Sequence, residues 1–156
     1  MKEMNMEALI AKYDQPVPRY TSYPTVPDWD IDHFRQADFS AWMKGCFETH
    51  GTDGISLYIH LPYCERLCTY CGCNTRITVN HGVEWPYIEA LLKEWEMYVA
   101  HFGKQPMIKE IHLGGGTPTF FSPEHLHQLI VGILDRAEVH PDYEFSFEGH
   151  PNNTTY

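Results

Sequence analysis

Ser56-Leu57-Tyr58-Ile59-His60-Leu61-Pro62-Tyr63-Cys64-Glu65-Arg66-Leu67-Cys68-Thr69-Tyr70-Cys71-Gly72-Cys73 is the stretch on which the reading of this chain turns. Residues 56–61 read as a strand, and Pro62 ends it. A loop then carries four of the chain's five cysteines within ten residues. In a reducing compartment such crowding points to a metal or a catalytic role rather than to disulfides. Cys64 and Cys68 are too close within one loop to act as a structural staple. Cys46 stands apart and is expected to pack as a small hydrophobe.

Working outward, residues 84–102 read as the clearest helix. Trp85, Ile88, Leu92, Trp95, Val99 and Phe102 recur at steps of three and four, and Gly103 follows as a stop. Ile108–Leu113 is a second strand, and Gly114-Gly115-Gly116-Thr117-Pro118-Thr119 follows it. Ser122 is a good N-cap with Pro123 at the first helical position. Leu126, Leu129, Ile130, Ile133, Leu134 and Ala137 mark the next apolar face. Residues 143–148 alternate with period two, as a third strand should. Strand, helix, strand, helix, strand implies right-handed parallel βα units. Three such strands leave an open edge, so the chain is expected to be the first part of a larger α/β barrel, and residues 1–156 alone are expected to be inactive and poorly stable.

The N-terminal region reads differently. Residues 3–13 can form a short helix, and residues 39–50 a second, with Phe39, Trp42, Met43, Cys46 and Phe47 on one stripe. Between them, Pro16–Pro27 holds four prolines in twelve residues, which favours an extended segment. A rigid connector is one reading; Arg19, Tyr20 and Tyr23 also make good ligand contacts there.

The chain has 156 residues, enough for a domain with a real core, and a net charge of −10 with neutral histidines. Its eleven lysines and arginines are dispersed, which argues against nucleic acid as a partner. No apolar run reaches membrane-spanning length and no signal peptide opens the chain, so no membrane partner and a cytoplasmic location are expected.

Three features fall at equivalent places, the C-terminal ends of the three strands, which form the active face of α/β barrels. The cysteine loop follows the first strand and the glycine run the second, while Glu148 closes the third. Thiolates ligate zinc or iron–sulfur clusters. A zinc site would use Cys64, Cys68 and Cys71 with Cys73, His60 or His81. Side chains one residue apart in extended backbone point to opposite sides, so Cys71 and Cys73 are expected to diverge, leaving three ligands. Three ligands suit a four-iron cluster with one open iron, and this places iron–sulfur ahead of zinc. The glycines admit close approach and offer N–H groups to a ligand; a tight turn is the plainer alternative. Glu148 is an acceptor for hydroxyls or an amine, or an ordinary strand end. Tyr58 and Tyr70 flank the loop, or simply pack. His60 and His112 are assigned no role.

The C-x3-C-x2-C loop after a first barrel strand resembles the radical S-adenosylmethionine (SAM) enzymes. Pro18–Thr25, Tyr58–Cys64, Cys64–Asn74 and Gly114–Thr119 together are similar to one family among them, the oxygen-independent coproporphyrinogen III oxidases. The resemblance implies a partial radical SAM (β/α) barrel with parallel strands over residues 55–156, preceded by an N-terminal extension, 1–54. It implies that Cys64, Cys68 and Cys71 hold a [4Fe-4S] cluster whose open iron takes SAM. Tyr58, Gly115 and Glu148 would contact that SAM, and Tyr70, Gly116 and Thr117 a second SAM. Cys73 would be needed for activity without ligating iron. The activity implied is radical oxidative decarboxylation of two propionates of coproporphyrinogen III to vinyl groups, giving protoporphyrinogen IX. A donor such as flavodoxin or ferredoxin would supply electrons, and a monomer is expected. Arg19 is then a candidate partner for a substrate propionate. Glu148-Gly149-His150-Pro151 departs from the family's pattern, which has an apolar residue and Asp between the Glu and the Pro. The alternatives are a haem-cleaving methyltransferase, a haem chaperone or, in a different class, a zinc-stabilised binding module.

Overall fold

The computed structural model describes residues 6–14, 28–30 and 32–151. The proline-rich segment with Arg19, Tyr20 and Tyr23 lies outside the described residues. The chain divides into two units, residues 1–36 and 37–156. In the first, helix α1 spans Met6–Tyr13, with Met6, Ile10 and Tyr13 exposed.

The second unit holds the α/β core. Helix α2 (Gln36–His50) leads to strand β1 (Ile55–Leu61), and the two-residue strands β2 (Tyr63–Cys64) and β3 (Arg76–Ile77) follow. Then come helix α3 (Glu84–Phe102), strand β4 (Met107–Gly115), helix α4 (Pro123–Leu134) and strand β5 (Glu138–Phe147). The main sheet has the order β1-β4-β5 and both pairings are parallel. The βαβα run therefore forms an open parallel sheet, as the alternation of elements predicts, and the sheet does not close.

One face of the sheet is apolar and covered. Ile59, Leu61, Ile111 and Leu113 project from β1 and β4 onto Ile88 and Trp95 of α3 and Leu129 and Ile133 of α4. The two helices approach closely, since a Cβ on Gly132 would lie 2.6 Å from Leu92 Cδ2. The Trp95 indole N–H donates to the Ile133 carbonyl at 3.1 Å, so this buried aromatic is satisfied without water. Both helix signals behave as read. Gly103 adopts the left-handed conformation (φ 73°) that ends α3, and Ser122 Oγ accepts the His125 N–H at the start of α4.

Four details differ from the sequence reading. The inward face of α3 begins at Glu84, which is 2% exposed, whereas Trp85 is 39% exposed and stacks beside His125. Helix α4 ends at Leu134, leaving Ala137 in the bend that precedes β5. Strand β5 begins five residues earlier than the period-two stretch suggests; its pairing with β4 is interrupted between Ile108 and Glu110, so the early part and residues 144–147 form two registers. In α2 only Phe47 is buried, stacked on Phe102 at 4.1 Å, while Phe39 and Trp42 are exposed. Cys46, on the same helix, is half-buried.

Candidate active site

The second face of the sheet is polar. Ser56, Tyr58 and His60 alternate along β1, Glu110 and His112 along β4, and Glu144 and Ser146 along β5. Register pairs Tyr58 with His112, and His112 with Ser146. The strand ends then bring the three candidate features together.

The cysteine loop is pinned at both ends. Parallel pairing of β2 with β3 closes the loop formed by residues 65–75, and Arg76 N–H donates to Pro62 O at 2.8 Å while Thr78 N–H donates to Cys64 O at 2.9 Å. Two-residue ladders carry no periodicity, so the sequence offers no signal for this closure. The glycine turn is tied to the same loop: Gly116 N–H donates to Leu61 O at 2.8 Å and Thr117 N–H to Tyr63 O at 3.0 Å. This approach requires glycine, because a Cβ at Gly116 would lie 2.6 Å from the Pro62 carbonyl. Gly115 is needed for a second reason, its φ of 111°. Glu148 N–H extends the ladder to Leu113 O at 2.9 Å, and its carboxylate accepts the Gly115 N–H at 3.3 Å.

The histidines that received no role from the sequence organise this face. His60 Nε2 bonds the Asn74 carbonyl at 2.8 Å. A carbonyl only accepts, so Nε2 carries the proton and Nδ1 is left to accept from the Tyr58 hydroxyl at 3.3 Å. His112 Nδ1 meets Ser146 Oγ at 2.8 Å, its Nε2 lies 3.6 Å from Glu148 Oε1, and its ring stacks on Tyr58 at 5.7 Å. Their shared parity with Tyr58 was the available signal. Local desolvation first, then Glu148 and Cys73, push the Tyr58 hydroxyl up, so it stays a donor at neutral pH.

The cysteines are unequal. Cys64 is 8% exposed, with its Sγ 3.2 Å from Thr117 Oγ1. Cys68 and Cys71 are half-buried and joined by a turn, Cys71 N–H to Cys68 O at 3.1 Å. Cys73 is exposed, and so is Tyr70, at the outer side of the loop. Residues 69–70 turn and Cys73 lies at a bend, so the backbone here is not the extended stretch that alternation of Cys71 and Cys73 requires; desolvation, then Cys71, Glu148 and Cys64, push the Cys73 thiol up. All five cysteines are free thiols. Among the described residues, no three His, Cys, Asp or Glu side chains converge into a coordination sphere. The donor chemistry nonetheless fits an iron–sulfur centre: free thiols, which are soft donors, on one pinned loop, a glycine turn against it, and an acceptor carboxylate at the next strand end. Among the described residues, no helix is long and apolar enough to cross a membrane.

Residues 58–148 match the family model of the radical SAM superfamily. The oxygen-independent coproporphyrinogen III oxidase of Pseudomonas aeruginosa is 38% identical over 122 residues, 78% of this chain and 26% of that protein. The protein of the same name from Paracoccus denitrificans is 34% identical over 156 residues, 97% of this chain and 33% of that protein. A solved structure of coproporphyrinogen III oxidase from Escherichia coli, described as a radical SAM enzyme, superposes with a TM-score of 0.75 at 28% identity, covering 95% of this chain and 31% of that one. The chain thus spans about a quarter to a third of the length of these relatives. Since the family match takes in more than half of the chain, with the cysteine loop, the glycine turn and Glu148 all inside it, the chain belongs to the radical SAM superfamily.

Proposed function

We propose that this chain takes part in the oxidative decarboxylation of coproporphyrinogen III, converting two propionates to vinyl groups and yielding protoporphyrinogen IX. The observation that carries the reading is the extent of the similarity. The relatives of that name align over as much as 97% of the chain, so the likeness runs beyond residues 58–148 into the N-terminal region. A generic radical SAM core would account for the central part alone. On this reading residues 1–54 are an extension and residues 55–156 the first part of the barrel.

Cys64, Cys68 and Cys71 would hold a [4Fe-4S] cluster, with Cys73 free for a role in turnover. The cluster and SAM, when bound, would supply the one-electron chemistry needed to remove hydrogen from an unactivated carbon. The protein's own groups bind and orient. Tyr58, Gly115 and Glu148 would contact the first SAM, with Glu148 as acceptor for its amine or hydroxyls. Tyr70, Gly116 and Thr117 would face a second SAM. The Tyr58–His60–Asn74 chain holds the loop against β1, and His112 steadies Glu148. An electron donor of the flavodoxin or ferredoxin type is required, and the partner set includes no nucleic acid or membrane.

Because residues 1–156 alone are expected to be inactive, the test joins this chain to the remaining part of a full-length relative and incubates the iron-reconstituted protein anaerobically with coproporphyrinogen III, SAM and a reductant. Protoporphyrinogen IX and carbon dioxide are expected in a ratio of one to two. A colourless preparation holding zinc would refute the cofactor reading. Cluster-loaded protein that cleaves SAM but leaves the porphyrinogen intact would refute the substrate.

A further inference from the structure

We infer that the Thr117 hydroxyl donates a hydrogen bond to the Cys64 sulfur and thereby raises the reduction potential of the cluster. This rests on the cluster reading above. It gives Thr117 a role separate from any contact with SAM.

The two side chains meet at 3.2 Å, and main-chain geometry holds them there. Thr117 N–H bonds Tyr63 O, one residue before Cys64, and Gly116 N–H bonds Leu61 O. From the other side, Thr78 N–H bonds the carbonyl of Cys64 itself. Neither partner can drift without breaking the tie between the two strand ends. Thr117 is β-branched, so its hydroxyl has few positions to choose from. Gly116 has the same logic: any side chain there would strike the Pro62 carbonyl and lift Thr117 away.

Direction follows from chemistry. A ligating thiolate has no proton to give, so the hydroxyl must donate. Reduction adds one electron to the cluster, and part of that charge resides on the ligand sulfurs. A donor aimed at one of them stabilises the reduced form more than the oxidised form, which raises the potential. Cys64 is the buried member of the four loop cysteines, so its sulfur is where such a bond is least diluted by water.

The experiment is a potentiometric titration of the anaerobically reconstituted protein, followed by electron paramagnetic resonance of the reduced cluster. Thr117→Val, which keeps the shape and removes the hydroxyl, should shift the midpoint to more negative potential with iron content unchanged. Thr117→Ser should restore the parent value. Resonance Raman spectra in deuterated water should shift an iron–cysteine stretching band in the parent and in Thr117→Ser but not in Thr117→Val. Equal midpoints for the parent and Thr117→Val would overturn the inference while leaving the cluster reading intact. A parent protein that takes up no cluster would overturn both. If the valine variant fails to load, Thr117→Ala carries the same comparison. Should that also fail, the parent and serine spectra decide: a deuterium shift in both supports the bond, and its absence in the parent overturns it.

Discussion

Replacing Glu84 should cost more than any pattern of hydrophobic residues would suggest. Its side chain is 3% exposed and both oxygens are used. Oε1 accepts from His81 Nδ1 at 2.6 Å; Oε2 accepts from His125 Nδ1 at 2.6 Å and from Ser122 N–H at 2.9 Å. One carboxylate thus joins the end of the cysteine-loop region, the start of α3 and the start of α4. Removing one partner from a buried charged network costs about 3–5 kcal/mol. His81 is 53% exposed and His125 31%, so water recovers part of what they lose. We therefore expect Glu84→Ala to cost about 3 kcal/mol, or roughly 6–12 °C in melting temperature for a chain of this size. Glu84→Gln keeps the volume and one acceptor and should cost about half as much, about 1.5 kcal/mol. Burial opposes the charge on Glu84, but the bonds from His125, Ser122 and His81 outweigh it and hold the carboxyl below its ordinary value. A depressed folded-state pKa contributes stability that is complete above the unfolded carboxyl pKa and is lost as pH falls through the folded value. The difference between the parent and Glu84→Gln should accordingly be widest near neutral pH and shrink below about pH 4. Urea denaturation followed by circular dichroism at pH 7 and pH 3.5 measures both quantities. Stabilities within about 0.5 kcal/mol of the parent at pH 7, or a gap that does not narrow in acid, would refute the reasoning.

Two further outcomes follow from the loop geometry. Serine at Cys64, Cys68 or Cys71 should abolish the visible absorption of the reconstituted protein and its bound iron, whereas Cys73→Ser should retain both; loss of iron in the Cys73 variant would make it a ligand. Gly116→Ala places a Cβ against the Pro62 carbonyl, which must move, so iron and sulfide content should fall several-fold while Gly45→Ala, which meets nothing within 4 Å, leaves them unchanged.

The parts of this molecule that the sequence made legible are those with short-range causes. Helix α3 shows itself because its apolar steps repeat over five turns and Gly103 stops it. The cysteine loop shows itself because ligand spacing is local. What stayed hidden depends on residues distant in the chain. The apolar steps of α3 turn Trp85 inward and give no place to Glu84; its bonds to His125 and Ser122, some forty residues on, together with the nearby His81, bury the acid and leave the tryptophan partly exposed. The turn at residues 69–70 and the bend at Cys73 are local, yet they too have no periodic signature. The early part of β5 has no signature because Val139-His140-Pro141-Asp142 carries no alternation; the pairing of Glu138 and Val139 with Met107 and Ile108 of β4 marks where the strand begins.

The register of β1 against β4 links the legible and the hidden parts. It pairs Ile59 with Leu113 on the covered face and, one step along, His60 with Gly114 on the polar one. The pairing that buries the core therefore also decides which glycine lies beside the cysteine loop. A slip of one residue would turn Ile59 and Leu61 out of the core and, in the same movement, carry Gly116 away from Leu61 O and Thr117 away from Cys64. Core packing and site geometry cannot be varied independently here. A substitution that loosens the helix-covered face, such as Leu61→Ala, is thus expected to act on the thiol loop through the strand end, without touching a cysteine.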